Sequence, residues 1–408
     1  MPKKHIKKIY IVSIIAFTIL NINICIGAEI EIANNGAYCW FQDPRAIYID
    51  GKIIVSWVTD KGKLQIGQYD TANGKIDIVT IKEEWEIDDH DVISFLVHPD
   101  KRITIFYAIH HRAGLYSKTS KNPSDIHDWL EEVQITHEKT TYSHPVYLSD
   151  EDMVYVFFRG ANFKPQYVTS NNMKVWSKPQ TILEDQNNKD KSLRPYLKVI
   201  SDGISNIHLA FTDGHPRNVN ENSIFYVRIN KGKLYNAGNE FLINLKDAPL
   251  TQFKKALVYD AHKDLKSWIY DLAILSSGKP AILYTKLSND DKQHFYYVAE
   301  YKNNEWIHKF IANAGGSIAD EREPHYSGGI CFNQTDPNII YTSEQDGNHF
   351  VIKKYRKNML SKSSTIIADG NNVRPLFVRG GEHYFIYMKG EYRHYTNFKT
   401  KIMLHIDQ

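Results

Sequence analysis

Histidine, tyrosine and arginine side chains stand at the ends of several short apolar runs of this chain. His90 precedes the run VISFLV, and His110 and His111 close the run ITIFYAI twenty residues later. Tyr142 opens the next pair of runs and Arg159 closes it. In an antiparallel hairpin, the start of the first strand and the end of the second are neighbours. We therefore predict that these five residues meet at one rim and are catalytic.

Later hairpins carry polar residues at the same positions. One begins with RPY and ends with TDGHPR, another follows REPHYSGG, and a third begins at Arg374. Arg45, which ends WFQDPR, is interpreted instead as a structural ion pair with Asp43 where the ring of repeats closes. The residues predicted to bind substrate are Arg194, Tyr196, Asp213, His215, Arg217, Arg322, His325 and Tyr326.

This combination of side chains suits an acidic sugar. An arginine binds a carboxylate through two parallel hydrogen bonds. A neutral histidine or a tyrosine can remove the proton alpha to that carboxylate, and another can protonate the leaving oxygen. Together these steps are the β-elimination of a uronate. A hydrolase usually needs two carboxylates, which Asp88 and Asp89 could supply, although adjacent residues of a strand face opposite ways.

The elements that must position these residues are β-hairpins. No helical periodicity extends over three turns after residue 30, whereas paired strands recur every 45 to 60 residues or so, roughly the size of a four-stranded propeller blade. We predict an all-β fold, a seven-bladed β-propeller forming a single domain over residues 29–408. A double sandwich and a β-helix are the alternatives. The seven hairpins are AIYIDGKIIVSWVT, DVISFLVHPDKRITIFYAI, HPVYLSDEDMVYVFFRG, YLKVISDGISNIHLAFTDG, YDLAILSSGKPAILYTK, GGICFNQTDPNIIYTSE and PLFVRGGEHYFIYMKG.

Two further patterns concern the fold and not the chemistry. Trp129, Trp176 and Trp306 close successive repeats and are expected to pack the blades. The stretch from Ser170 to Trp176, SNNMKVW, fits a degenerate form of the Asp-box S-x-D-x-G-x-T-W, with Asn172 in place of aspartate. This box is a structural turn at the rim of a blade.

The first 28 residues have the pattern of a secretory signal peptide. A basic segment, MPKKHIKK, precedes the apolar run IYIVSIIAFTIL, which is too short to span a bilayer, and small residues follow at Gly27 and Ala28. A lipoprotein signal using Cys25 is the alternative. We expect a secreted or periplasmic protein, or one at the cell surface, with no membrane span after the signal is removed.

Charge and cysteine content narrow the class of partner. Removing residues 1–28 removes four lysines and no acid, leaving 46 basic against 47 acidic residues. This balance argues against nucleic acid, which needs a concentrated basic face. Cys39 and Cys331 could pair or remain as buried thiols, since spacing alone does not decide. An acidic polysaccharide or oligosaccharide is the expected partner, and a monomer is the expected state.

The chain resembles the BNR-repeat seven-bladed propellers of secreted bacterial proteins. The resemblance spans the mature chain and rests on CWFQDPRAI, IDDHDVISFLV, ITIFYAIHH, DIHDW, TYSHPVYL, VYVFFRG, RPYLKV, IHLAFTDGHPR, WIYDLAIL and PHYSGGICF. That family includes ulvan lyases and lyases that cut rhamnosyl-glucuronate linkages, together with members that have no assigned activity. The resemblance implies a propeller fold and a polysaccharide lyase activity.

The resemblance also implies roles for individual residues. His90 matches the first histidine of the lyase site, and His110 or His111 the second. Tyr142 matches its tyrosine, Arg159 the carboxylate-neutralising arginine, and Tyr196 a further tyrosine on the substrate side. The sequence departs from the family at Asp91 and His144, where asparagine is common. Some members hold a structural divalent metal ion, but no CxxC or HxH motif fixes one here, so the cofactor is left unknown.

Three functions remain open from the sequence. In the first, a lyase, Arg159 binds the uronate carboxylate; His110, His111 or Tyr142 removes the C5 proton, and Tyr142 or His90 assists the leaving oxygen. The second is a glycoside hydrolase on the same propeller. The third is a non-catalytic glycan-binding propeller, which fold resemblance alone does not exclude.

Overall fold

The protein is built almost entirely from β-strands. A computed structural model describes residues 27–185, 193–359 and 364–407. These ranges contain 29 strands and six 3-10 helices of three residues each. The 3-10 helices are Asp89–Asp91, Ala161–Phe163, Leu245–Asp247, Lys254–Ala256, Ala261–Lys263 and Lys357–Met359.

The strands are numbered in chain order. The first twelve are β1 Ala28–Ala33, β2 Ala46–Ile49, β3 Lys52–Val58, β4 Leu64–Asp70, β5 Ile76–Lys82, β6 Ser94–Val97, β7 Ile103–Tyr107, β8 Arg112–Thr119, β9 Val133–Leu148, β10 Met153–Arg159, β11 Pro165–Ser170 and β12 Gln180–Thr181. The next six are β13 Leu197–Ser201, β14 Asn206–Thr212, β15 Ile224–Asn230, β16 Lys233–Tyr235, β17 Phe241–Asn244 and β18 Leu257–Tyr259. The last eleven are β19 Ser267–Ile274, β20 Pro280–Leu287, β21 His294–Lys302, β22 Glu305–Gly315, β23 Ile330–Phe332, β24 Ile339–Asp346, β25 His349–Arg356, β26 Ser364–Ala368, β27 Asn372–Phe377, β28 Tyr384–His394 and β29 Asn397–Ile406.

Within the described ranges the strands form six antiparallel sheets. Strands β2 to β5, β19 to β22 and β23 to β26 each make a four-stranded sheet, and β27 to β29 make another with β1. Strands β6 to β12 make one seven-stranded sheet. Strands β13 to β17, together with β18, which pairs with β15, make a six-stranded sheet.

The sheets surround one axis. The innermost strands contact one another in the order β2, β6, β9, β13, β19, β23 and β27. A bridge between Ile47 and Arg379 returns the ring to β2. The fold is therefore an all-β propeller in one domain, as predicted. The prediction of seven separate blades is wrong in the count of sheets, because β9 is 16 residues long and pairs with β8 at one end and with β10 at the other.

All seven predicted hairpins form, because alternating apolar strands are joined at turn residues. They are the pairs β2–β3, β6–β7, β9–β10, β13–β14, β19–β20, β23–β24 and β27–β28. In the first, Asp50 and Gly51 have φ angles of 47° and 77°. Two positive φ values suit a tight two-residue hairpin turn, for which Asp-Gly is a favoured pair.

The two chain ends meet in one sheet. Strand β1 pairs antiparallel with β29, with Ala28 opposite Ile406. Residues 1–26 of the predicted signal peptide lie outside the described residues, and β1 begins at Ala28, the last residue of that prediction. No helix in the described ranges is long and apolar enough to cross a membrane.

Aromatic side chains from the segment before β2 fill the centre of the ring. Trp40 stacks on Tyr270 with ring centroids 5.1 Å apart and meets Trp268 edge-on at 5.0 Å. Phe41 lies 4.5 Å from Tyr196. These rings are buried, so Trp40 and Phe41 make a solid floor beneath the mouth where the predicted catalytic residues lie.

The Asp43–Arg45 ion pair is confirmed at 3.1 Å. Lys198 of β13 reaches the other oxygen of Asp43 at 2.5 Å. The pair therefore joins the segment before β2 to β13, and it lies next to the Ile47–Arg379 bridge at which the ring closes. Adjacent to it, Asp271 accepts hydrogen bonds from the Phe332 backbone at 2.9 Å and from Gln334.

The remaining structural predictions concern the blades. Trp129, Trp176 and Trp306 are half-buried and pack against the cores, as expected. Asn172 accepts hydrogen bonds from the backbone N–H groups of Lys174 and Val175, which makes the turn expected of an Asp-box. Of the two open alternatives for the cysteines, the structure has buried free thiols at Cys39 and Cys331.

Candidate active site

In the sequence DDHD, residues Asp89–Asp91 form a short helical turn that leads into β6. Asp88 precedes this turn and its side chain accepts a hydrogen bond from the His90 backbone N–H at 2.9 Å. Asp and similar residues stabilise such helix starts because they satisfy a backbone donor that has no partner inside the helix. The expectation that Asp88 and Asp89 lie on a strand is therefore wrong, and this turn buries all four side chains.

Asp88 contacts two imidazoles at once. One carboxylate oxygen lies 2.5 Å from His90 Nδ1, and the other lies 2.8 Å from His110 Nδ1. The two rings stack with centroids 4.3 Å apart and planes 13° from parallel. Burial opposes the ionisation of Asp88, but the two imidazoles hold the pKa of its carboxyl below the usual range. The carboxylate is therefore charged and acts as a shared acceptor.

Backbone contacts hold His110 in this position. Asp91 Oδ1 accepts a hydrogen bond from the His110 backbone N–H at 2.6 Å. Burial, with the nearby His90 and Arg159 also contributing, lowers the pKa of His110 to about 4, against the opposing effect of Asp88. His110 is therefore neutral at physiological pH, as a general base must be.

His111 faces another direction. Its φ angle is 56°, and its ring stacks on Phe163 with centroids 4.1 Å apart. Its backbone N–H donates to Thr141 Oγ1 at 3.0 Å. Of the two adjacent histidines, the structure thus brings His110 to His90 and places His111 against Phe163.

A β-bulge brings Tyr142 to the site. The pairing of β9 with β10 shifts register between Phe157 and Arg159, and Tyr142 has a φ of 62°. Bulges and positive φ angles re-aim side chains and concentrate at functional sites. Here they place the Tyr142 ring 4.7 Å from the Arg159 guanidinium and 5.5 Å from the His90 ring. Burial raises the pKa of the Tyr142 phenol well above its usual range, so it keeps its proton.

Arg159 is a buried cation surrounded by neutral partners. Its Nη1 donates to the Tyr196 hydroxyl at 3.1 Å, and its Nη2 to His110 Nε2 at 3.0 Å and Thr141 Oγ1 at 3.4 Å. The side chain is only 5% exposed. Among the described residues, no carboxylate lies within 4.0 Å of it, although ion pairs are common elsewhere in the molecule. Buried charges are normally paired, so this arginine is a preformed site for an anion.

An aromatic belt continues from Arg159 around the mouth. Tyr196 lies 5.7 Å from both Tyr142 and His215, and His215 lies 4.5 Å from Trp268. Burial lowers the pKa of His215 well below its usual value, so its imidazole is neutral. Two of the predicted substrate contacts, Tyr196 and His215, therefore lie in one continuous cluster of buried side chains with Tyr142 and Arg159.

The other predicted substrate contacts lie in several environments. Arg194 is half-buried and stacks on Phe163 at 4.6 Å. Arg217 forms an ion pair with Glu323 and donates to the Arg322 carbonyl at 2.9 Å, while the Arg322 side chain is exposed and paired with Asp320.

Three more of these residues are involved mainly in packing. Tyr326 is buried, with its ring 5.0 Å from the Trp40 floor. His325 is buried, with Nε2 3.2 Å from Asp291, and its ring is 5.8 Å from His215. Asp213 accepts from the Ser223 backbone N–H at 2.8 Å, and burial raises its pKa to about 6.

Tyr395 is at the site although sequence reasoning did not select it. Its ring meets His90 edge-on at 4.8 Å and His110 at 5.9 Å. Its backbone carbonyl accepts from the Asp89 N–H at 2.9 Å. It comes from the tight β28–β29 connection near the C-terminus, and only closure of the ring brings it beside the DDHD turn. In the sequence, the one feature that could have pointed to Tyr395 is the aromatic-rich stretch EYRHYTNF.

Asp89 does not share the role of Asp88. Its Oδ2 lies 2.5 Å from Arg374 Nη1 and accepts from the Tyr392 hydroxyl at 2.6 Å. The side chain is fully buried. Asp89 is thus neutralised by Arg374, and Asp88 is held by two histidines. Both carboxylates reach His90 Nδ1, at 2.5 Å and 3.1 Å, but their remaining contacts differ, so each is already occupied by other side chains.

The described residues contain two groups that could be considered for a metal ion. In the group of Asp88, His90 and His110, the oxygen–nitrogen contacts of 2.5 and 2.8 Å are shorter than the separation of about 3.4 Å between ligands on a tetrahedral ion with bonds near 2.1 Å. In the group of Cys39, Asp89 and His90, Arg374 already neutralises Asp89. Neither group fits a metal ion as arranged.

Comparison with known proteins identifies the family. The model of the BNR repeat-containing family matches residues 52–314, more than half of the chain, so the protein belongs to this family. No curated protein matches the chain.

Solved structures resemble it over nearly its whole length. An ulvan lyase of polysaccharide lyase family PL25, bound to -[GlcA(1-4)Rha3S]-, has a TM-score of 0.68 at 16% identity, with 93% of this chain and 96% of that chain covered. The polysaccharide lyase Uly1 has a TM-score of 0.58 at 12% identity, with 94% and 99% covered. At these identities the likeness shows the propeller fold.

Proposed function

We propose that this protein is a secreted polysaccharide lyase that cleaves a uronate-containing glycan by β-elimination. The observation that carries the proposal is Arg159, a buried guanidinium with no carboxylate partner among the described residues, in contact with a neutral histidine. The fold likeness to two polysaccharide lyases supports this class. A glycan of the rhamnose and glucuronate type is the proposed substrate.

The first step is recognition of the uronate carboxylate. Arg159 offers Nη1 and Nη2, whose present partners are neutral hydroxyl and imidazole groups. A carboxylate forms stronger, charge-assisted hydrogen bonds than these groups. Once bound, the guanidinium stabilises the negative charge that develops on the carboxylate when the adjacent C5 loses its proton.

His110 is the proposed base. Its Nε2 lies 3.0 Å from Arg159 Nη2, so a carboxylate on Arg159 brings the adjacent C5–H bond close to that nitrogen. The C5 proton passes to Nε2, and its bonding electrons form the C4=C5 double bond as the C4–O bond breaks. His111 lies against Phe163 and is not favoured for this role.

Tyr142 is the proposed acid. Its phenol keeps its proton because burial raises its pKa, and its ring lies under the Arg159 guanidinium. Its proton passes to the O4 leaving oxygen, so the reaction consumes no water and yields an unsaturated uronate. His90 lies beside His110 and 5.5 Å from the Tyr142 ring, where it supports both groups.

The belt around the mouth is the proposed binding surface for neighbouring sugars. Tyr196 and His215 present aromatic faces next to Arg159. Arg194 and Arg217 lie further out and carry positive charge towards an acidic chain. We propose that the mature protein works outside the cytoplasm as a monomer, with residues 1–28 removed as a signal peptide.

The test is the ultraviolet absorbance of the unsaturated product. Purified mature protein is incubated with a panel of uronate polysaccharides that includes ulvan and a rhamnosyl-glucuronan. Arg159→Ala is assayed in parallel, with Arg102→Ala as a matched control at an exposed ion pair on the β6–β7 turn. We expect absorbance to rise with the wild type and the control and not with Arg159→Ala.

Other products would contradict the proposal in distinct ways. New reducing ends without absorbance would place the protein among the hydrolases. Binding of the polysaccharide without either product would make it a glycan-binding propeller. Full activity of Arg159→Ala would leave a lyase but would remove the role given to the arginine.

A further inference from the structure

Asp88 is the one carboxylate that contacts both imidazoles of the site. It accepts from the His90 backbone N–H, from His90 Nδ1 and from His110 Nδ1, at 2.9, 2.5 and 2.8 Å. The side chain is 4% exposed. An ionised carboxylate can only accept hydrogen bonds. Both histidines must therefore carry a proton on Nδ1.

A second, independent contact fixes the same state for His110. An arginine nitrogen can only donate, and Arg159 Nη2 lies 3.0 Å from His110 Nε2. His110 Nε2 must then present a lone pair. A neutral imidazole has one donor and one acceptor nitrogen, so the Asp88 and Arg159 contacts agree on a single tautomer.

We propose that Asp88 is the positioning residue of the site: it keeps a proton on Nδ1 of both His90 and His110, and it holds His110 in the Nδ1–H tautomer with the Nε2 lone pair directed away from it. This inference rests on the proposed function for its catalytic consequence, because the Nε2 lone pair of His110 is the proposed base. When that nitrogen takes the C5 proton, the charge of Asp88 stabilises the imidazolium that forms.

The second histidine serves this arrangement by packing. The buried His90 ring stacks on the His110 ring, with the two planes 13° from parallel. Its Nδ1 also lies 3.1 Å from Asp89 Oδ1. His90 therefore fills one face of the base and occupies the second oxygen of Asp88, which prevents the carboxylate from turning away from His110.

Asp88→Asn changes the hydrogen-bonding groups at this position without changing the size of the side chain. An asparagine side chain has the size of aspartate but offers one acceptor and one donor group. It can accept from one imidazole and must donate to the other, so at least one ring has to change to the Nε2–H tautomer or lose its contact. If that ring is His110, its base nitrogen is blocked.

The direct measurement is the nitrogen chemical shift pattern of the histidine side chains, recorded by NMR on the full mature chain labelled with 15N-histidine. His90→Asn and His110→Asn identify the two signals. In the wild type at pH 7 we expect His110 neutral with its proton on Nδ1, and His90 with a proton on Nδ1. An Nε2–H pattern for His110 would overturn the proposal, whether or not the protein is a lyase.

Kinetics provide the second measurement. Asp88→Asn should lower kcat by about 10²–10⁴-fold with KM changed only a few-fold, because geometry at the base is lost while the sugar contacts remain. The matched control is Asp50→Asn on the exposed β2–β3 turn, where φ is 47° and asparagine is tolerated. An equal fall in kcat in the Asp50→Asn control would contradict a positioning role for Asp88.

The two measurements separate the failure of this inference from that of the proposed function. Absence of any unsaturated product with both rings in the Nδ1–H state would overturn the lyase and keep the tautomer assignment. Elimination by the wild type with equal kcat in Asp88→Asn would keep the lyase and overturn the positioning role. If Asp88→Asn does not fold, the wild-type spectrum still decides.

Discussion

Arg374 and Arg159 are both buried arginines near the axis of the propeller, but only one of them has a counter-charge. Arg374 donates to Asp89 at 2.5 Å and to the Tyr38 carbonyl at 2.7 Å, and its guanidinium lies 4.3 Å from the Tyr392 ring. Arg159 has only neutral hydrogen-bond partners among the described residues.

The local backbone is similar at the two places. The innermost strand β27 shifts register between Val373 and Leu376, and Arg374 has a φ of 55°. Strand β9 has the same kind of bulge beside Tyr142, the residue under Arg159. The fold thus uses one device, a bulge at the mouth, to build a closed ion pair in one place and an open cation in the other. Under the proposed function, this difference leaves the Arg159 charge available for a ligand.

The largest expected effect is on activity. Arg159→Met should reduce kcat/KM on a uronate polysaccharide by about 10³-fold or more, because it removes the charge that stabilises the developing enolate. Arg159→Lys should recover part of this, since a lysine restores the charge without the two-pronged geometry. Initial rates of ultraviolet absorbance measure both. Equal rates for the methionine and lysine variants would show that charge at this place does not matter.

The next effect is on stability. Arg374→Met leaves Asp89 as a buried, unpaired carboxylate, and breaking a buried pair in this way costs about 3–5 kcal/mol. Urea denaturation of the variant should therefore show a much lower midpoint than the wild type. A double variant, Arg374→Met with Asp89→Leu, should recover most of the loss, and failure to do so would mean that the ion pair is not what Arg374 supplies.

The third effect is on the pH dependence of activity, through the pKa of His110 beside Arg159. Because burial, with His90 and Arg159 also contributing, lowers the pKa of His110 to about 4, kcat/KM should stay high as pH falls through 6 and drop only near pH 4. Activity falls at low pH because the base must be unprotonated to accept the C5 proton. The pH profile of kcat/KM measures it. An acid limb near the ordinary histidine value of about 6.5 would point to a different base.

The smallest effect concerns Asp91, a buried carboxyl without a cation. Its Oδ2 makes no hydrogen bond, and burial and the charge of Asp88 raise its pKa well above the usual range. A group with a raised folded pKa costs stability as pH rises above its unfolded value of about 4. Asp91→Asn should therefore be about 1–2 kcal/mol more stable than the wild type at pH 8 and similar to it at pH 4.

Thermal unfolding at the two pH values tests this prediction. Asn has the shape of a protonated aspartate, so the variant keeps the acceptor for the His110 backbone N–H. A variant that gained stability equally at both pH values would show that the carboxyl is not the cause.

The sequence predicted the hairpins and much of the site, because both depend on local patterns. Alternating apolar residues and turns such as Asp50-Gly51 specify each hairpin, and the hairpin brings His90 to His110. The shared strand β9 was not predictable, because its continuation between two sheets depends on pairing with both β8 and β10.

The missed parts of the site depend on contacts distant in sequence or on backbone angles. Asp88 was expected on a strand, and only the helical turn lets it face both histidines. The choice of His110 over His111 follows from the positive φ of His111, which no motif encodes. Tyr395 reaches the site from the last hairpin, close to where β1 pairs with β29 and closes the ring.

The most direct test of the account is the free energy of unfolding of Arg159→Met, measured by urea denaturation at neutral pH without ligand. If the Arg159 charge is kept for a ligand, removing it relieves the cost of burying an unpaired cation. We predict a stability within about 1 kcal/mol of the wild type, or above it. A loss of about 3–5 kcal/mol, like that expected of Arg374→Met, would show that Arg159 holds the fold together and would contradict the account.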